Sequence, residues 1–305
     1  MPNAQLPGWS VIDVLGWGEC SVDFVHVVAE LPRAGVSKIP ISAHRVTCGG
    51  QVATTIAACA AWGLKSAYLG AVGNDDNGRR VQDALRRRGV DLSRLIVREA
   101  ATRYAVILVE EGSGERIVLW ERDARLDVDP ALLTPASVAG ARVVHVDATD
   151  LPAAITLARL AREGGAIVTC DIDTVTARTG ELLAQVTLPI VAEDVPRQLT
   201  GLSDVEQALR AMRQAHHAVV CVTRGARGAA ALEGDRFIEA AGVRVEAVDT
   251  TGAGDVFRAG FIFGVLHTWP LEQTLAFANA AAALSCTRAG AIDGVPALED
   301  VRAHL

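Results

Sequence analysis

The sequence contains no long apolar run. No window reaches the roughly 18 to 20 consecutive apolar residues that a membrane-spanning helix needs, although half of the 305 residues are hydrophobic. The opening segment, MPNAQLPGWS, has neither a basic region nor an apolar core, so no secretory signal is expected there. Cations are scarce as well: 29 Lys and Arg stand against 36 Asp and Glu, a net charge of −7 with no long run of either sign. That balance argues against nucleic acid or a membrane surface as a partner. Any phosphate must then be held locally, by backbone amides, a few Lys or Arg, or a metal.

Other absences narrow the function. The six cysteines (Cys20, Cys48, Cys59, Cys170, Cys221 and Cys286) include no Cys-x-x-Cys pair. They read as reduced thiols of a cytoplasmic protein. The seven histidines show no metal-ligand spacing, and His216 and His217 are expected to point apart at a helix end. Aromatics make up 4% of the chain, which favours small-residue packing of helices on a sheet over an aromatic all-β sandwich. No Gly-x-x-x-x-Gly-Lys-Ser/Thr and no Gly-x-Ser-x-Gly occurs, against a P-loop nucleotidase and an α/β-hydrolase. The turn GWGECS places Ser21 where a dinucleotide fingerprint needs its third glycine, and no ribose-binding acid follows in SKIPIS.

What is present alternates. A strand is expected at 11–15, then an irregular β-like stretch (23–46) broken by Pro32, Gly35 and Pro40. A helix follows through QVATTIAACAAWG, then a strand at 67–72 and a charged helix, RRVQDALRRRG, after the polar turn GNDDNG. Residues 104–110 and 115–120 flank EGSGE as a hairpin would. From 140 onward, VVHV, AIVTC, LPIV and AVVCV are apolar runs separated by helical segments. Such alternation predicts an α/β fold with a mostly parallel, doubly wound sheet covered on both faces. One domain over 1–305 is the economical reading. The segments at about 20–47 and 98–122 form a small β-sheet that projects as a lid.

Three glycine-containing stretches fall at expected strand ends. The first, DTTGAGDVFRAG (249–260), lies between the alternating VRVEAV (243–248), expected as a strand, and an apolar helix. Gly252 and Gly254 let backbone N–H groups converge, and the helix N-terminus adds roughly half a positive charge. Asp255 beside such a site is repulsive to an anion unless its charge is used to accept a proton. An ordinary glycine turn with Asp255 as helix cap is the alternative. Gly49-Gly50, before a helix, permits close backbone approach or simply a tight turn. Thr223 to Gly228, after AVVCV, suits a nucleotide lying against backbone or a turn between two strands.

Taken together, VLGWGECSVDFV, GGQVATTIAACAAWG, GAVGNDDNG, TRGARGA, DTTGAGDVFRAGF, FANAAAALSCTRAGA and Pro296 resemble the ribokinase-like carbohydrate kinases, the phosphofructokinase B family, over nearly the whole chain. The resemblance implies transfer of the γ-phosphoryl of ATP, with Mg²⁺, to a sugar hydroxyl, and a lid that often mediates dimerisation, hence a homodimer. It implies Asp255 as base and the amides of Gly252, Ala253 and Gly254 as anion hole. Asp23, Gly49, Gly50 and the position of Thr54 would meet the sugar, with Lys38 contributed by the lid. Thr223, Gly225 and Gly228 would line the phosphates and ribose of ATP, and Asn279 the adenine. Asp249 and Thr251 match a loop that holds a monovalent cation, K⁺, in some members.

Two positions depart from the family pattern. Thr54 stands where an asparagine is usual, and Ala192 and Val195 replace the Asn-x-x-Glu pair linked to magnesium, leaving Glu193 or Asp194 to substitute. Similar departures occur in the ketohexokinase and sulfofructose kinase branches, which favours a keto-sugar or related hexose derivative. ATDLP, without arginine, weakens recognition of a sulfonate or phosphate there. A nucleoside kinase of the same fold and a non-catalytic sugar-binding relative are the alternatives.

Overall fold

In a computed structural model that describes residues 11–305, the strand-helix alternation seen in the sequence is realised; the expectation for the first ten residues lies outside the described residues. Strand β1 (Ile12–Trp17) leads into β2 (Ser21–Val28) and β3 (Ile41–Gly49), and helix α1 (Gln51–Ala61) follows. Short strands β4 (Ser66–Tyr68) and β5 (Ala71–Gly73) precede α2 (Asp76–Arg87). Then come β6 (Ile96–Arg98), β7 (Tyr104–Glu110), β8 (Arg116–Glu121) and the single turn α3 (Pro135–Val138). The regular half runs β9 (Ala141–Asp147), α4 (Leu151–Glu163), β10 (Ile167–Ile172), α5 (Thr179–Leu183), β11 (Leu188–Ala192), α6 (Asp194–Thr200) and α7 (Val205–Met212). It closes with β12 (Val219–Thr223), β13 (Ala229–Glu233), β14 (Arg236–Ala240), α8 (Ala253–Leu266), α9 (Leu271–Ser285) and α10 (Leu298–Arg302).

Eight strands form the main sheet in the order β14-β13-β12-β11-β10-β9-β1-β4. It is parallel from β4 to β12, and β13 and β14 add antiparallel at one edge. Alternation within β12 shows why these strands read as unbroken apolar runs. Val220 and Val222 enter the core under α4, α5 and α7, whereas Val219 and Cys221 enter the core beside α8 and α9. With both faces buried, each residue of the two-residue repeat must be apolar. The few aromatics are concentrated: Trp62, Phe263, Trp269 and Phe277 interlock with ring centroids between 5.1 and 6.0 Å apart. Trp62 Nε1 also donates to Pro296 O at 3.0 Å, tying the C-terminal segment to this cluster.

The segments expected as a lid form a second, four-stranded sheet, β3-β2-β7-β8. Register places Asp23, Thr47, Ala105 and Trp120 in one row and Val25, Arg45, Ile107 and Val118 in a row of the same face. That face looks across a cleft at residues 247–251.

Four local expectations fail for identifiable reasons. Residues 67–72 split into β4 and β5, which join different sheets. Helix α2 starts at Asp76, ahead of the arginine pair, because Asp75 caps it. Residues 243–248 form no strand: they cross to the end of α9, where Val248 N and Asp249 N both donate to Cys286 O. Val243, Arg244, Val245 and Ala247 line a cavity instead. His216 and His217 lie in the turn after α7 and do not point apart. Their rings meet at 4.5 Å, and His217 Nε2 bonds Leu183 O.

Asp75 ties α2 to the base of the lid. Its Oδ1 accepts from Gly78 N (2.7 Å) and Thr102 Oγ1 (2.6 Å), and its Oδ2 from Thr102 N (2.9 Å). Burial pushes this carboxyl up, but the bonds from Thr102 and Gly78 win and hold it below its ordinary range. A depressed carboxyl stabilises the fold above its unfolded value and loses that contribution as pH falls. Asp75→Ala is expected to cost about 1–2 kcal/mol at pH 7, with the gap to wild type in urea midpoint narrowing between pH 5 and 3.

Candidate active site

The parallel strands deliver their carboxyl ends, with acids on them, to one crevice, as open α/β sheets do. Asp147 of β9 and Asp171 of β10 are register partners. Glu19 follows β1, and its N–H donates to Asp147 Oδ2 at 2.6 Å. Across the crevice lies the turn that starts α8. Gly252 is the residue before the helix, left-handed at φ 82°, with no side-chain cap, so Asp255 in the first turn is free of capping duty. The helix ladder begins with Val256 N to Gly252 O; ahead of it Ala253 N makes a long turn bond to Thr250 O at 3.3 Å, and the other first-turn N–H groups have no place in the ladder. A Cβ on Gly252 would lie 2.8 Å from Ala291 Cβ. At Gly50 (φ 101°) a Cβ would meet Cys20 Cα and Glu19 O at 2.5 Å. Both close approaches require glycine.

Below the turn the charges are buried. Asp255 and Arg258 stand three residues apart on one face of α8, the face that meets Asp171, and the Asp171 charge raises Asp255. Arg258, one turn further along α8, brings Nη2 to 2.6 Å from Asp171 Oδ1, with both side chains at most 4% exposed. A Cβ on Gly254 would stand 2.9 Å from Arg258 Nη1, so the guanidinium sits beneath the glycine turn. Burial raises both acids, Asp171 to about 7 and Asp255 well above the carboxylate range, while Arg258 pulls both down. Burial also lifts Asp147 to about 6 against the N–H groups of Glu19 and Thr149. It lifts Glu19 to about 7 against the pull of Arg103, whose Nη1 is 2.9 Å from Glu19 Oε1. Asp23 is raised by burial, and Ser21 Oγ donates to its Oδ1 at 3.0 Å.

Two cavities meet at the turn. One, of about 330 Å³, lies between lid and turn and is lined by Asp23, Arg45, Thr47, Asp249, Thr251 and Gly290 among others. The other, of about 580 Å³, brings together Thr223, Gly225, Gly228, Ala253, Gly254 and Asn279. Ala247 and Thr250 line both. Asn279 Nδ2 donates to Ala240 O and Ala241 O at 3.1 Å, which fixes the exit of β14 along the larger cavity.

Some expected residues are placed otherwise. Gly49 adjoins Asp23, since a Cβ on it would lie 3.2 Å from Asp23 Oδ2. Thr54 is fully buried, packed against Gly252 with Oγ1 unpartnered, and lines neither cavity. Lys38 is exposed in the β2–β3 connection and lines neither cavity. Asp249 is a poor fit for a monovalent cation. Its Oδ2 accepts from Arg45 Nη2 (2.7 Å) and Gly290 N (3.0 Å), and its Oδ1 from Thr251 N (3.0 Å). A guanidinium already supplies the positive charge. Val195 is fully buried, Glu193 pairs with Arg227, and Asp194 pairs with Arg197. Among the described residues no three His, Cys, Asp or Glu form a metal cage.

Sequence reasoning missed Glu19, Arg45, Arg103, Asp147, Asp171 and Arg258. Asp147 and Asp171 each follow an apolar run that reads as a strand, and Arg258 breaks an otherwise apolar helix. A charge inside a hydrophobic run is a signal of a buried, paired group.

The family described as pfkB family carbohydrate kinase matches residues 12–298. An ATP-dependent ribose-1-phosphate kinase from Halopiger xanaduensis is 31% identical over 97% of this chain and 98% of its own. An acarbose 7(IV)-phosphotransferase from an Actinoplanes species is 32% identical, with 92% and 95% covered. The solved Arabidopsis thaliana ribokinase, complexed with ribose and ATP, has a TM-score of 0.83 over 97% of this chain and 99% of its own at 24% identity. The fold is ribokinase-like.

The glycine geometry makes a paired prediction. Gly252→Ala meets both a positive φ and a backbone contact, so a loss of about 1–3 kcal/mol is expected in urea unfolding. Gly180→Ala, with open space around it, should stay neutral or gain up to about 1 kcal/mol.

Proposed function

The chain belongs to the pfkB family of carbohydrate kinases, and from that premise we propose that Asp255 is the base and the 252–254 amides the anion hole of an ATP-dependent sugar phosphorylation. One observation carries this reading. The turn that leads into α8 is a shared wall between two cavities, with Asp255 just behind it. ATP in the larger cavity lies along Gly225 and Gly228 with its terminal phosphates at Ala253 and Gly254. The sugar enters on the lid side, near Asp23, Gly49 and Gly50. Phosphoryl transfer needs alignment and charge stabilisation more than covalent help, and convergent amides at a helix N-terminus supply both.

Asp255 takes the proton of the acceptor hydroxyl as the oxygen attacks the γ-phosphorus, and ADP leaves with the bridging oxygen. Mg²⁺, when bound, neutralises the phosphates. The donor set here fits an ion carried by ATP and water, with Glu193 and Asp194 the nearest acids after β11, more than one caged by protein. Trp120 lies in the same row of the lid as Asp23, is 64% exposed, and has Arg103 5.5 Å from its ring centre. It offers an apolar face to a sugar ring. Glu19, Asp23 and Asp147 on this side, with Arg103 already paired to Glu19 and Arg45 to Asp249, favour a hydroxyl-rich neutral acceptor over an anionic one.

On the opposite face of the lid, Val46 and Leu119 are 40% and 57% exposed, a surface suited to a second copy of the chain. Leu119→Lys is expected to shift a dimer to monomer in sedimentation velocity; a wild-type monomer overturns the dimer. For the reaction, Asp255→Asn should bind ATP within a few-fold of wild type and lose about 10²–10⁴ in kcat. The assay is ADP release over aldoses, ketoses, sugar acids and nucleosides. Near-normal turnover in Asp255→Asn removes Asp255 from the role of base.

A further inference from the structure

After Asp255, α8 contains one charged residue, Arg258, and it is 3% exposed. A buried guanidinium persists only against a partner. Its charged partner is Asp171, from a different element and 2% exposed, while Arg258 Nη2 also donates to Ile190 O at 3.5 Å. Arg258 Nη2 reaches Asp171 Oδ1 at 2.6 Å, yet off the line of a hydrogen bond, so neither Asp171 oxygen has a hydrogen-bond donor while both acids are ionised. Asp255, three residues before Arg258 on the same face of α8, is the neighbouring group whose proton can supply the missing donor.

We propose that Asp171 and Arg258 are positioning residues for the transfer: Arg258 holds Asp171 ionised, and the Asp171 charge makes Asp255 the stronger proton acceptor. The proposal rests on Asp255 being the base. The bond changes remain those of the transfer itself. The hydroxyl proton passes to Asp255, its oxygen lone pair forms the O–P bond, and the bond pair to the bridging oxygen departs with ADP. Asp171 then accepts a hydrogen bond from the protonated Asp255 until product release returns the proton to water.

The surrounding charges are few. Glu19, Asp147 from β9 and Asp173 after β10 add negative potential. His145 of β9 is held neutral, pushed to about 3 by burial and by Arg258. Helix α1 contributes a hydroxyl, Thr55 Oγ1, donated to Asp255 O at 3.0 Å. Arg258 is therefore the cation that sets the balance. The burial-driven rise of both acids, opposed by Arg258, agrees in direction.

The test is the acidic limb of kcat/KM against pH, measured with the acceptor found in the ADP-release screen. Asp171→Asn removes a negative neighbour, so the limb should move ~1–3 units to lower pH while maximal kcat falls. Arg258→Met removes the cation and should move it to higher pH; Arg258→Lys, which keeps the charge, should return it toward wild type. Equal losses of kcat with an unmoved limb, or shifts in the same direction for Asp171→Asn and Arg258→Met, overturn the proposal. Should Arg258→Met fail to fold, Asp171→Asn and Arg258→Lys decide: an unmoved limb in Asp171→Asn overturns it alone. Failure of the base assignment is separately visible, as turnover in Asp255→Asn.

Discussion

The helix start at Gly252 is the constraint on which the site depends. A helix must begin with N–H groups that its own ladder cannot use, and here two of the residues that carry them, Ala253 and Gly254, line the larger cavity, with no side-chain cap on the turn. The left-handed φ of Gly252 makes the turn tight, and the contact with Ala291 holds it in place. Small residues let the helix come this close to its neighbours: a Cβ on Gly260 would stand 2.7 Å from Ala278 Cα. The packing of α8 on α9 and the position of the free amides are thus one geometric fact.

An acidic chain that handles a polyanion must concentrate its positive potential. Surface lysines do not do so here. The helix N-terminus provides part of it, and Arg258, buried below the turn, presents the positive end of an ion pair with Asp171. The same burial carries a cost, since an isolated guanidinium is not tolerated in a core. Asp171 offsets that cost by pairing with Arg258, and its negative charge also raises Asp255.

The legible parts of the sequence were those whose meaning is local. Asp255 and its glycines sit within one short stretch, and Thr223, Gly225, Gly228 and Asn279 fall where strand ends and helix packing bring them to one cavity. Continuous apolar runs gave the parallel sheet, because burial on both faces removes polar alternation. Arg45 with Asp249, and Arg258 with Asp171, join elements far apart in the chain, and neither residue of either pair signals its partner. Alternation at 243–248 misled because the apolar Val243, Val245 and Ala247 are used to line a cavity, together with Arg244, and not to pair in a sheet. The position of Thr54 had the opposite fault, since sequence shows which residue follows the glycine pair but not that its side chain is sealed beneath Gly252.

Arg45 also bears on how the lid and the turn communicate. It stands on β3, a lid strand, and its guanidinium meets Asp249, whose other oxygen accepts from Thr251 N. Arg116 of β8 reaches Thr251 Oγ1 at 3.4 Å from the same sheet. Two lid strands therefore grip the segment that leads into Gly252. Exposed ion pairs contribute little to stability, but Asp249 is nearly buried here, with 9% of its side chain exposed, and three donors converge on its carboxylate. Movement of the lid away from the cleft must break those contacts or carry the turn with it, so the geometry of the free amides is coupled to the position of the lid.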